Sequence, residues 1–236
     1  MDIISLNTPY NENIDDNTPI FRYYSYCKLQ KLFDDKALFF CNTQKFSDRR
    51  ERELPMACLN GFPTDSATLV NKVHTVKVSD IASYTLCFSK SNDNYAFWKI
   101  YTPNNDGVMI ATTVGKLKKV LSNNNVVIFN VDYVDDDYKC DNAAIIDFGP
   151  DSMPSSIRGT EKFKIFPYKY EEEIRFVFYS KDKEKGYNYP ISDMSFIDYF
   201  MISPFANKAM EKCIEDMIRQ YLPEIEIKKS IIDESE

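Results

Sequence analysis

YKYEEEIRFVFYS, residues 168–180, is the stretch on which both fold and function turn. Read as a strand over residues 170–179, it sends Tyr170, Glu172, Ile174, Phe176 and Phe178 one way. Glu171, Glu173, Arg175, Val177 and Tyr179 point the other way. The first face is mostly apolar and packs on a core. The second sets two carboxylates and a guanidinium in a row. A charged row on a strand is most often a solvated outer face whose ion pairs contribute little. Here the neighbouring apolar density argues for a central strand, where charges need partners or a ligand.

Further strands lie on either side: PIFRYY (19–24), ALFFC (37–41), SYTLCFS (83–89), VMIAT (108–112), VVIFNVDYV (126–134), YFMIS (199–203) and EIEIK (224–228). Helices are few and short. Ser25 caps one with Tyr26, Leu29, Leu32 and Phe33 on its apolar face, and Asn92 or Asp93 caps another that runs to Tyr101. Residues 65–78 and 115–121 suit helices, and Ser203 with Pro204 opens a longer one striped by Met210, Cys213, Ile214, Met217, Ile218 and Tyr221. The turn Asn104-Asn105-Asp106-Gly107 is expected to use its glycine for positive φ. Residues 135–158 form a long polar loop. Strands do not alternate regularly with helices, so the fold class is α+β with a mainly antiparallel sheet. Residues 1–18 read as a polar arm, 19–230 as a single α+β domain and 231–236 as an acidic tail.

Composition narrows the chemistry. A net charge of −7 over 236 residues provides no general phosphate-neutralising surface, so general duplex DNA binding is not expected. No apolar run approaches membrane-spanning length, and the acidic, Asn-rich start is unlike a signal peptide. No membrane partner and a cytoplasmic location are therefore expected. Cys27, Cys41, Cys58, Cys87, Cys140 and Cys213 have no metal-ligand spacing and read as buried, reduced thiols, so no metal is expected. The six glycines include no Gly-x-Gly, which removes the usual phosphate cradles. His74 is the only histidine and has no nucleophilic motif beside it. Catalysis must then run on carboxylates, Arg, Tyr and Ser.

Three more segments bear on a site. Arg22 sits within the aromatic strand FRYYS, either snorkelling from an edge or forming a clamp for phosphate or carboxylate. Ser89 and Ser91 end a strand, and Tyr95, Phe97, Trp98 and Tyr101 follow on a helix, as core or as a stacking surface for a flat ring. VDYVDDDY (131–138) is acidic, but consecutive aspartates do not converge on one ion, and a solvated loop is the better reading.

In order and spacing these segments resemble a bacterial domain-of-unknown-function family, number 2971. The resemblance rests on Phe21-Arg22-Tyr23, residues 37–41, Phe88-Ser89, Trp98-Lys99-Ile100-Tyr101 with Gly107, and Glu171-Glu172-Glu173-Ile174-Arg175. The chain departs from that pattern at Phe46-Ser47-Asp48-Arg49, where the family carries Phe-Asn-Asp-Pro. The pattern is also similar to the Arg-Ser-Glu branch of the ADP-ribosyltransferase superfamily, through Arg22, Ser89 with Ser91, and Glu171 with Glu173. That resemblance implies a split, mainly antiparallel sheet and NAD as the cofactor consumed. It makes Glu173 and Glu171 catalytic. Arg22, Tyr23, Ser89, Ser91, Trp98, Tyr101 and Arg175 become cofactor-binding, although Arg175 is not part of that branch's motif. The reaction implied is transfer of ADP-ribose to an unknown macromolecular acceptor, as in bacterial toxins and antiviral defence effectors. Two other readings stay open: a nucleotide-binding sensor module without catalysis, and a metal-dependent nuclease built on Glu171, Glu173 and the Asp-rich loop.

Overall fold

The computed structural model describes residues 1, 3, 13–46, 51, 82–121, 125–134, 147–148, 154–156 and 160–232. The helix expected over 65–78, with His74, lies outside the described residues, as do residues 47–49, the aspartates at 135–137 and residues 233–236. In chain order the elements are β1 (Pro19–Ser25), α1 (Tyr26–Asp35), β2 (Ala37–Asn42), β3 (Ala82–Ser89), α2 (Tyr95–Tyr101), β4 (Gly107–Thr113) and α3 (Val114–Val120). Then follow β5 (Val127–Asn130), β6 (Asp132–Val134), β7 (Asp147–Phe148), β8 (Pro154–Ser156), β9 (Phe163–Ile165), β10 (Glu173–Ser180), β11 (Gly186–Pro190), β12 (Tyr199–Ile202), α4 (Lys208–Tyr221) and β13 (Glu226–Lys229). This is the expected α+β class. Its ladders are mainly antiparallel, with parallel pairing at β6–β9 and β12–β13. None of the described helices is long and apolar enough to cross a membrane.

The chain forms two compact units. The first comprises Met1–Asn13, Phe40–Cys87 and Asn123–Tyr187. Within it β10 pairs with β3 and runs antiparallel to β5, with Arg175 opposite Phe129 and Val177 opposite Val127. Every residue of β10 is buried. Phe178 stacks on Tyr84 and tilts against Phe40, while Val177 and Tyr179 pack with Val127 and Phe129. The two-residue alternation read from the sequence is therefore present from Glu173 onward, in a strand covered on both faces.

It does not extend back to residue 170. Residues Phe166–Glu171 form a 3₁₀ helix opened by Pro167, whose fixed φ suits a helical first turn. Glu172 then adopts a left-handed conformation (φ 42°) before the strand begins. Glu171 consequently arrives from a turn and does not share Glu173's strand face.

The second unit comprises Ile14–Phe39, Phe88–Ser122 and Asn188–Glu236. β1 pairs along its whole length with β4, and β4 with β12. Phe21 and Tyr23 join Phe97, Trp98, Met109, Ala111 and Met201 in one apolar cluster. Leu29, Leu32 and Phe33 recur at helical spacing as the buried face of α1. Phe33 stacks on Tyr221 of α4, whose hydroxyl donates to Asp34 at 2.6 Å. α4 begins later than Pro204 suggests, because Asn207 caps it by accepting the Met210 N–H. Of its expected stripe, Ile214, Met217 and Ile218 are buried. Cys213 is exposed, as is Cys27, so these two are not the buried thiols expected. Gly107 serves closeness and not positive φ: a Cβ there would lie 2.4 Å from the Thr102 side chain, and the left-handed residue of the turn is Asn105.

Candidate functional site

In the first unit, the row expected on the central strand sits in a buried charged cluster larger than the sequence indicated. Arg175 is fully buried, at 0% exposure. Its Nε and one terminal nitrogen donate to Glu173 Oε2 at 3.1 and 2.6 Å. That same terminal nitrogen donates to Glu51 Oε2 at 2.5 Å, and the other to the Glu161 carbonyl at 2.8 Å. The ring of Phe46 lies over the guanidinium. Expected against the cofactor, Arg175 has all three of its nitrogens bonded to protein and orients Glu173.

Lys164 is the second cation. It enters from β9, between Phe163 and Ile165, and its Nζ lies 2.5 Å from Glu171, 3.4 Å from Glu51 and 3.6 Å from Glu173. Two cations and three carboxylates share one buried volume, where each charge is tolerated only because its neighbours compensate it. Tyr133 of β6 fixes the start of β10 by accepting the Glu173 N–H at 2.9 Å.

The two glutamates are pushed apart in acidity. Burial alone would raise Glu173, but the charges of Arg175 and Lys164 outweigh it and hold the carboxyl below its ordinary range. For Glu171 burial prevails over Lys164, and its carboxyl is raised. Lys164 would be lowered by burial, but Glu173, Glu51 and Glu171 keep its ammonium charged. Glu161 is buried and raised by desolvation, opposed by a hydrogen bond from Ser83. Its Oε2, Thr85 Oγ1 and the Tyr179 hydroxyl have no hydrogen-bond partner among the described residues.

Lys164, Glu51 and Glu161 were not singled out from the sequence. A lysine between Phe163 and Ile165 is a readable signal, as is the alternation Ser83-Thr85-Cys87, whose Cys87 thiol hydrogen-bonds Glu173. Nothing local marks Glu51, which lies 124 residues from Arg175.

The second unit gathers the other expected residues. Arg22 is half-buried, its guanidinium 5.3 Å from the Tyr24 ring and 5.8 Å from that of Phe88. It also hydrogen-bonds the Tyr24 side chain. Ser89 Oγ accepts the Ser91 N–H at 2.9 Å, and Ser91 Oγ accepts from Asn94 Nδ2 at 3.0 Å. Asn94, and not Asn92 or Asp93, caps α2.

Tyr23 and Trp98 are core. Trp98 is 0% exposed with Tyr23 edge-on at 4.7 Å, and the Tyr23 hydroxyl accepts the Asn94 N–H. Tyr101 is 43% exposed and touches Phe97 edge-on. Among the described residues no group of three or more His, Cys, Asp or Glu side chains is arranged to hold a metal.

No protein-family model and no curated protein matches the chain. Among solved structures it is similar to Thermus sp. 2.9 DarT in complex with ADP-ribosylated ssDNA, at 8% identity and TM-score 0.42, covering 94% of this chain and 98% of that one. The same protein in complex with NAD+ aligns at 9% identity and TM-score 0.40, over 92% and 97% of the two chains. Its complex with carba-NAD+ aligns at 10% and 0.38, over 92% and 95%. A superposition this loose assigns no residue of the present chain a role.

Proposed function

We propose that the chain is an NAD-dependent ADP-ribosyltransferase-like enzyme acting on a macromolecular acceptor, with its chemistry divided between Glu173 and Glu171. The observation that carries the reading is the pair of buried glutamates sharing Lys164 while their acidities are displaced in opposite directions. Cleavage of the nicotinamide–ribose bond of NAD releases nicotinamide and leaves positive charge on the sugar. Glu173, held ionised by Arg175, suits stabilisation of that charge. Glu171, whose raised carboxyl takes up a proton more readily, suits activation of the acceptor as a base.

Arg22, Ser89 and Ser91 enter the proposal by chemistry: a guanidinium fork and two hydroxyls suit a diphosphate and its ribose. Tyr23 and Trp98 support the Asn94 cap and are not assigned contact with the nucleotide. Membership of the 2971 family and service as a toxin or antiviral defence effector belong to the same proposal and rest on motif order.

A second reading, a nucleotide-binding module, is favoured by how completely Arg175 and Lys164 already engage both carboxylates. Incubation of the purified wild-type protein with NAD separates the two. The enzyme releases nicotinamide, and Glu171→Gln lowers label transfer to acceptor more than it lowers hydrolysis. Calorimetric NAD binding with no nicotinamide released would leave the module as the better reading. Neither binding nor release would refute both.

A further inference from the structure

Asp93 follows the Ser89–Ser91 turn in a left-handed backbone conformation (φ 46°), which an aspartate tolerates at some cost. Three donors converge on its carboxylate, one of them the Ser230 hydroxyl, whose single proton is shared between the two oxygens. Oδ1 accepts from Trp98 Nε1 at 2.9 Å and from the Ser230 hydroxyl at 2.7 Å. Oδ2 accepts from the same hydroxyl at 2.9 Å and from the Ile231 N–H at 2.8 Å. Ser230 Oγ in turn accepts the Ile232 N–H, and Ile232 packs on the apolar cluster around Trp98.

From Asp93 the order passes to the next residue. Asn94 is held at its N–H by Tyr23 and reaches back through its side chain to Ser91, which is tied to Ser89. A continuous run of bonded groups thus joins residues 230–232 to the two serines. The same carboxylate satisfies the one polar side-chain atom of the fully buried Trp98, so Asp93 ties the core indole and residues 230–232 to a single point.

We propose that Asp93 is a positioning residue. Through it the C-terminal residues 230–232 hold the Ser89–Ser91 turn in the geometry that nucleotide binding uses. The functional half of this proposal rests on the NAD reading above; the mechanical half does not.

The Asp93→Asn variant of this chain tests both halves. It keeps the shape and tolerates the same backbone, but replaces one carboxylate oxygen with a group that cannot accept. Hydrogen–deuterium exchange at the Ser91 and Asn94 amides is expected to rise about tenfold, the equivalent of one charge-assisted bond lost. Ser230→Ala should do the same, and Ser230→Thr, which keeps the hydroxyl, should restore protection. With NAD as the probe, KM for nicotinamide release should rise about tenfold in Asp93→Asn while kcat holds, a split that general destabilisation would not give.

Unchanged exchange at Ser91 and Asn94, with Ile231 alone deprotected, would overturn the mechanical coupling. Faster exchange with unaltered KM would overturn the positioning role. If the wild-type protein neither binds nor cleaves NAD, the NAD reading fails, and the exchange arm still decides the coupling.

Discussion

Replacing Glu161 with glutamine should make the protein's stability less dependent on pH. Glu161 is 5% exposed, and burial raises its carboxyl above the ordinary value of 4.5. The folded state therefore keeps a proton that the unfolded chain gives up once pH passes 4.5. Fewer protons bound in the unfolded state make the slope of stability with pH negative. The contribution is complete below pH 4.5 and is lost as pH rises toward the folded-state value.

While the folded carboxyl holds its proton, the loss is about 1.4 kcal/mol per pH unit. A glutamine side chain at this position mimics the neutral acid and can still accept from Ser83. It leaves untouched the main-chain carbonyl that receives Arg175. Glu171 is raised as well and adds a slope of the same sign, so the informative quantity is the difference between wild type and Glu161→Gln. Urea denaturation followed by circular dichroism at a series of pH values above 4.5 should show the variant gaining on the wild type, by up to about 1.4 kcal/mol per pH unit for as long as the folded carboxyl holds its proton. Parallel curves would mean that Glu161 is ionised in the folded protein, with the Ser83 hydrogen bond and the Arg175 charge outweighing its burial.

Two further outcomes are expected. Arg22→Lys should weaken NAD binding about tenfold by calorimetry, because an ammonium cannot reproduce a planar fork lying beside the Tyr24 and Phe88 rings; unchanged affinity would remove Arg22 from the nucleotide's contacts. Gly107→Ala should cost about 1–3 kcal/mol in a denaturation experiment, since the added carbon meets Thr102, which cannot easily yield while its hydroxyl is bonded to the Trp98 carbonyl at 2.7 Å; wild-type stability would show that the turn adjusts freely.

What the sequence disclosed depended on how local the cause was. The α1 stripe Leu29, Leu32 and Phe33 and the alternation of β10 come from side-chain spacing, and both were legible. The left-handed Glu172 was not, because three consecutive glutamates before an apolar run look like a continuing strand. Ser203-Pro204 reads like a helix start, but Asn207 makes the bond that caps α4. In the site, Glu171, Glu173 and Arg175 were identified as a group from strand spacing. Their partners were not, because Lys164 is brought in by β9 and Glu51 by a contact 124 residues away. Trp98 and Tyr23 have the composition of a stacking surface and the burial of a core, and only packing separates these.

The left-handed turn at Glu172 also explains why the two catalytic candidates differ. In an uninterrupted strand Glu171 and Glu173 would lie two residues apart on one face, roughly 7 Å between Cα atoms, in the same row as Arg175. Both would then compete for a single guanidinium. The turn takes Glu171 out of that row and delivers it to Lys164 at 2.5 Å, leaving Arg175 to Glu173 and Glu51. Glu173 thereby gains a permanently charged partner bonded through two nitrogens, with Lys164 as a more distant second. Glu171 has an ammonium that it shares with two other carboxylates, and for it burial prevails. One residue at φ 42° is enough to convert two like carboxylates on a strand into one held ionised and one raised toward taking up a proton.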